Sequence, residues 1–222
     1  MAAQIAPIKI APIKSALITG ASRGLGFAFA KALARTHHIV AMARTTARLT
    51  ELDDHIRAGG GSATLVAADI TDTQALAHMC RSIHERWGRV DLWVHTAIHA
   101  APLGPAGYME PKDWQRSVAT NIAATGYLIS FMMPLLGRTG HAVFLEDARA
   151  GEKFFGIYGA SKAAQIALAR SWQAETCSTG PRVSILIPAA MATPLRACFF
   201  PGEDKAALAS PETEAHRLLA SL

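Results

Sequence analysis

Six short apolar runs, each five or six residues long, recur along the chain with stretches of helical composition between them. They cover 15–19, 38–43, 63–68, 90–95, 141–145 and 183–187. A strand with one wet face alternates apolar and polar residues, because successive side chains point to opposite sides. None of these runs keeps a strict alternation. They read as strands buried on both faces, which calls for a parallel sheet covered by helices on each side. Helical stretches are expected at about 25–36, 46–57, 72–87, 112–136, 157–177 and 211–222, with Thr71 or Asp72 capping the third. Gly59-Gly60-Gly61 stops the second of them. Strand and helix in alternation predict an α/β fold, a doubly wound parallel sheet of about six strands with helices on both faces.

A chain of 222 residues can bury one such core and is short for two. A single domain is expected over 14–222. Residues 1–13 read as an extended leader, with Ile5 to Lys9 copied as Ile10 to Lys14 and Pro7 and Pro12 inside the repeat. Charged residues are 18% and hydrophobic residues 50% of the chain, which excludes a disordered protein. The net charge is +5, but the basic residues are scattered, so a solvated basic surface is expected and no nucleic-acid partner. No segment holds the roughly 20 uninterrupted apolar residues of a membrane span, and no membrane partner is expected. Cys80, Cys177 and Cys198, an odd count without CxxC, read as free thiols in a reducing cytoplasm.

The sharpest local signal is Thr19-Gly20-Ala21-Ser22-Arg23-Gly24-Leu25-Gly26, between the first strand and the first helix. Gly20 permits a tight turn, Gly24 lets backbone approach a pyrophosphate, and Gly26 lets helix and strand pack closely. The free N–H groups of the following helix favour an anion. Glycines alone would equally suit a plain turn; placed after a buried strand, they are expected to form a dinucleotide site of the Rossmann kind.

The spacing Gly-x3-Gly-x-Gly resembles the short-chain dehydrogenase/reductase family, whose motif reads TGxxxGxG. Tyr158-Gly-Ala-Ser-Lys162 matches its YxxxK, and residues four apart on a helix share one face. The resemblance covers about 14–222. It implies Tyr158 as proton donor and acceptor, Lys162 as the cation that lowers the phenol pKa and binds the nicotinamide ribose, and Asn121 as holder of a relay water. It further implies cofactor contacts from Gly20, Ser22, Arg23, Gly24, Leu25, Gly26, Asp69, Ile70, Ala97, Pro188 and Thr193. For Asp69 the plain alternative is helix capping, and for Asn121 a surface position. Arg44 ends the second strand, where an acid would bind the ribose hydroxyl of NAD. With Arg23 it favours a 2′-phosphate, hence NADP(H).

Several positions depart from the family pattern. Its Asn-Asn-Ala-Gly reads His95-Thr96-Ala97-Ile98, and the family's seventh strand is not expected, which leaves six. His95 and His99 read as structural, and no metal site is expected. No hydroxyl stands 12 to 14 residues before Tyr158, where the family carries its serine; those positions are Glu146, Leu145 and Phe144. An ionised Glu146 or Asp147 there could only accept a hydrogen bond and would raise the phenol pKa. A protonated Glu146, or Thr96 or His95 reaching across, could supply the missing donor; alternatively Glu146 pairs with Arg149 or Lys153 on the surface. The segment 192–210, with Phe199, Phe200 and Leu208, is expected as an irregular apolar lid. A second apolar face on the Tyr158 helix points to a homodimer through that helix and the Asn121 helix. The expected activity is NADP(H)-dependent hydride transfer between nicotinamide and a small carbonyl or alcohol, slow or unusual because the serine is missing. The alternative is a silent cofactor binder acting as sensor or interaction partner.

Overall fold

A computed structural model describes residues 14–222, so the expected leader lies outside the described residues. Strands β1 (Ser15–Thr19), β2 (His38–Ala43), β3 (Ala63–Ala67), β4 (Leu92–His95), β5 (His141–Leu145) and β6 (Arg182–Leu186) form one parallel sheet in the order β3-β2-β1-β4-β5-β6. The helices are α1 (Gly24–Leu33), α2 (Thr46–Ala58), α3 (Thr73–Trp87), α4 (Pro111–Ser117), α5 (Ala124–Leu136), α6 (Gly156–Thr176), α7 (Pro194–Phe199) and α8 (Pro211–Leu219). All six predicted strands form, within two residues of their expected ends.

The period of two is visible in β1. Ala16 and Ile18 join a core with Phe29, Leu49 and Leu218, while Leu17 joins one with Leu76, Trp93, Leu128 and Phe144. Successive side chains thus feed opposite layers, α1, α2 and α8 on one face and α3, α5 and α6 on the other. Each fully buried Leu, Ile or Phe contributes roughly 1.5–3 kcal/mol. The central strands β1 and β4 are buried throughout, whereas β3 and β6 are only partly covered. Both are sheet edges, where one flank has no neighbouring strand. Asp72 caps α3 by accepting from the Gln74 and Ala75 N–H groups, and Gly88 ends it in a left-handed turn at φ 74°.

Two expectations need correction. The predicted helix 112–136 is not one α-helix: α4 and α5 are joined by a π-helical turn, Val118–Ala123, with Asn121 inside it. The widened turn carries Asn121 into the interior, where it is fully buried. The lid is also more regular than expected, because Thr193 caps α7 by accepting from the Arg196 N–H and Pro194 occupies its first turn. The helical stretch Pro111–Leu136 is long and apolar enough by composition to cross a membrane, yet its Leu128, Met132 and Leu135 pack in the sheet core.

Candidate active site

Chain order reverses between β1 and β4, and the crevice at their carboxyl ends is where ligands bind in such sheets. Gly20 begins the turn after β1 at φ 91°, and a Cβ there would stand 2.6 Å from the Ala97 backbone nitrogen. Only glycine fits. A Cβ on Gly26 would strike the Gly20 carbonyl and the Thr96 hydroxyl. Thr96 Oγ1 donates to the carbonyls of Thr19 at 2.8 Å and Gly20 at 3.2 Å, so it braces the turn and does not reach Tyr158. Arg23 precedes α1 with extended backbone, no side chain caps that helix, and its first turn carries no acid. Its N-terminal N–H groups are left for an anion.

Gly20, Ser22 and Arg23 form one wall of a cleft that Arg44, Asp69 and Ile70 line from β2 and the end of β3. Ala97 and Ile98 close it after β4. Leu25 is buried below the turn, and Gly24, at φ 57°, lies opposite Thr193. Pro188 precedes a segment held by Glu214, whose carboxylate accepts from the Ala189 N–H at 2.7 Å. Asp69 does not cap α3. It accepts from the Thr71 N–H at 2.9 Å and hydroxyl at 2.8 Å, and Arg44 stands 3.8 Å away. Burial alone would raise its carboxyl, but those bonds and Arg44 outweigh burial and lower it.

The second half of the site sits on α6. The Tyr158 hydroxyl donates to Asp147 Oδ2 at 3.2 Å. Asp147 also accepts from Arg149 Nε at 3.0 Å, Nη2 at 2.9 Å and backbone N–H at 3.1 Å. These bonds hold its carboxyl below the usual range against the opposing effect of burial. Burial, then the Asp147 charge, raises the Tyr158 phenol well above its ordinary value, with Arg149 offsetting part of the rise. The acid beside the tyrosine is therefore Asp147 and not Glu146. Glu146 is bound by Arg170 at 2.9 Å, rather than by Arg149 or Lys153.

Lys162 points elsewhere. Its ammonium donates to Gln165 Oε1 at 2.7 Å, and burial lowers its pKa to about 8 against the pull of Asp147 and Glu146. Gln165 Nε2 reaches Thr125 Oγ1 at 3.0 Å and His95 Nε2 at 3.2 Å, and His95 Nδ1 meets Thr19 Oγ1 at 2.8 Å. His95 thus belongs to a buried polar chain and is no donor to the tyrosine. Asn121 clamps His99 reciprocally, accepting its N–H at 2.7 Å and donating to its carbonyl at 2.9 Å, and donates to Ser161 at 2.9 Å. Sequence reasoning missed Gln165. Its signal was the i+3 spacing from Lys162, which places both on one helix face.

The lid closes over Tyr158. The Phe199 ring stands 4.9 Å from the phenol ring, edge to face, and Phe155 and Phe200 complete an aromatic cluster. Leu208 is not part of it.

The family model described as short chain dehydrogenase matches residues 14–204. The chain belongs to the short-chain dehydrogenase family. Sorbitol dehydrogenase of Cereibacter sphaeroides is 31% identical over 79% of this chain and 69% of its own length. Sepiapterin reductase of Chlorobaculum tepidum is 29% identical over 81% of this chain and 78% of its own. A short-chain dehydrogenase from Shigella flexneri 2a, solved with NADP, superposes with TM-score 0.82 at 26% identity, over 90% of this chain and 86% of its own.

Proposed function

We propose that the protein is an NADP(H)-dependent oxidoreductase that moves hydride between the nicotinamide and a small-molecule substrate. The observation that carries this reading is the cleft at the switch point, with an uncapped α1 N-terminus and two arginines around it. The residues fit a dinucleotide, since the cradle exists only because Gly20 has no Cβ. When bound, the dinucleotide supplies or takes the hydride. The chain's own residues do the rest. The first N–H groups of α1 hold the pyrophosphate, and Arg23 and Arg44 present guanidinium forks to a 2′-phosphate. The Arg44 side chain is 72% exposed and only loosely engaged by Asp69, which leaves it available to that phosphate. Tyr158 faces the reacting end, Lys162 keeps its ammonium on Gln165, and Asn121 fixes the backbone at His99 between the two halves.

A second reading, a cofactor binder without turnover, is favoured by one observation: the phenol is already committed to Asp147. The chain pairs with a second copy through α5 and α6, where Tyr127, Met133 and Leu168 are exposed and an open groove of about 650 Å³ runs past Gly159, Ala160 and Ala163. A cytoplasmic location accords with three free cysteines.

Tryptophan-fluorescence titration tests the cofactor assignment. NADPH is expected to bind at least about tenfold more tightly than NADH, a difference of about 1.4 kcal/mol. Arg44→Ala should erase most of that preference. Tighter binding of NADH by the unmodified protein would overturn the assignment. Turnover of any substrate with bound NADPH would remove the silent-binder reading.

A further inference from the structure

Both Asp147 oxygens are filled. Oδ1 takes the Arg149 backbone N–H and Nε, and Oδ2 takes Arg149 Nη2 and the Tyr158 hydroxyl. The phenol proton is therefore spent on a carboxylate, and what Tyr158 has left to offer a substrate is oxygen lone pairs. Reduction of a carbonyl ends with an alkoxide that must take a proton from the site. Were Tyr158 to give that proton, its phenolate would face the Asp147 carboxylate 3.2 Å away. Like charges at that range oppose the step. A carbonyl oxygen also presents only lone pairs, so it has no hydrogen to offer Tyr158.

The aromatic surroundings of the phenol suit a cation. Phe199 stands edge-on to the Tyr158 ring at 4.9 Å, and Phe155 lies 5.9 Å from Phe199. The same cluster already holds two guanidiniums: Arg149 lies 5.0 Å over Phe155 and 5.3 Å over Phe200, and Arg196 lies 4.9 Å over Phe200. The Arg149 charge is cancelled by its two-point contact with Asp147, that of Arg196 by Glu203, and the Lys162 ammonium is turned to Gln165. What the phenol environment offers is acceptor oxygen and aromatic rings, the chemistry that binds organic cations.

We infer that the reacting group is a protonated carbon–nitrogen double bond, an iminium, rather than a ketone or aldehyde. This rests on the oxidoreductase reading above and names its substrate class. The iminium N–H donates to the Tyr158 oxygen, which its own bond to Asp147 makes a better acceptor. Hydride from NADPH forms the new C–H bond at the iminium carbon, and the C=N π pair moves onto nitrogen as a lone pair. Carbon is reduced, the dihydronicotinamide is oxidised, and no proton leaves Tyr158. The product amine takes its further proton from solvent.

The test compares methylpyrroline, a cyclic imine, with cyclopentanone, using the full chain and NADPH and following nicotinamide absorbance. The imine is expected to show a kcat/KM at least about tenfold higher. Asp147→Ser, which replaces the acceptor with a hydroxyl donor, should shift that ratio towards the ketone by a similar factor while NADPH affinity stays unchanged. Calorimetry gives a readout without turnover: pyrrolidinium should bind more tightly than cyclopentanol, and Phe199→Ala should remove the difference. Equal or better use of the ketone overturns the inference. If neither probe turns over, the calorimetric pair decides, and equal binding of cation and alcohol overturns it. Failure of NADPH to bind at all would remove the oxidoreductase reading itself, a result distinct from NADPH-bound protein that prefers the ketone.

Discussion

His95 shows how one buried side chain can make stability depend on pH. It is 1% exposed, hydrogen-bonded at both ring nitrogens, and burial with the nearby Lys162 charge lowers its pKa to about 3. The folded protein keeps this imidazole neutral. In the unfolded chain it takes a proton below its ordinary value of 6.5. The unfolded state therefore binds more protons, and stability is full above 6.5 and lost as pH falls towards 3. One such histidine costs about 1.4 kcal/mol per pH unit across that window. His141, lowered to about 4 by burial and Arg182, adds to the slope. The expected outcome is a urea midpoint that drops between neutral pH and pH ~5. His95→Asn should make that drop shallower, and an equal drop in the variant would show that His95 is not responsible.

Among the elements, the β1–α1 connection separates what glycine does for folding from what it does for binding. At Gly20 a Cβ would meet the Ala97 backbone at 2.6 Å, and neither segment can yield because Thr96 ties both carbonyls of the turn. Gly24 differs. Its φ is 57°, but the nearest atom to an added Cβ is Thr193 Cγ2 at an ordinary 3.5 Å. Gly24→Ala should therefore fold, with a left-handed strain of about 1–2 kcal/mol and a melting point several degrees lower. NADPH affinity should fall by about tenfold or more, because the methyl stands where backbone would approach the pyrophosphate. Retained affinity in a folded Gly24→Ala protein, seen by the same fluorescence titration, would remove Gly24 from the phosphate site. Strand edges follow the same local logic: β3 and β6 are less buried because no strand lies beyond them.

At the scale of the molecule, the exposed apolar face of α5 and α6 decides the expected assembly. Ala160, Ala163, Ala167 and Leu168 point outward on α6, while Ile166, Ala169 and Trp172 fill the core. A helix apolar on both faces needs a second surface to cover it, and a twofold contact covers two copies at once. Sedimentation or light scattering should report a dimer mass. Ala163→Glu with Leu168→Glu should give a folded monomer, since both sites are on the surface of the single chain. A monomer mass for the unmodified protein would remove this assembly.

The sheet, its helices and the glycine turn were legible in the residues because each rests on local rules: strand burial on continuous apolar runs, the turn on glycine spacing, the Tyr158–Lys162 pair on helical period. Asn121 was legible as a position, but the π-helical turn that buries it was not, since the extra residue per turn is settled by packing against α6 and His99. Which acid meets the tyrosine was open between Glu146 and Asp147. Adjacent residues after a strand point to opposite sides, so only the path of the loop after β5 sends Asp147 to Tyr158 and Glu146 to Arg170. The partner of Lys162 was likewise beyond spacing rules. The chain Lys162–Gln165–His95–Thr19 joins α6, β4 and β1, and buried polar groups take whichever partners the folded interior brings within reach.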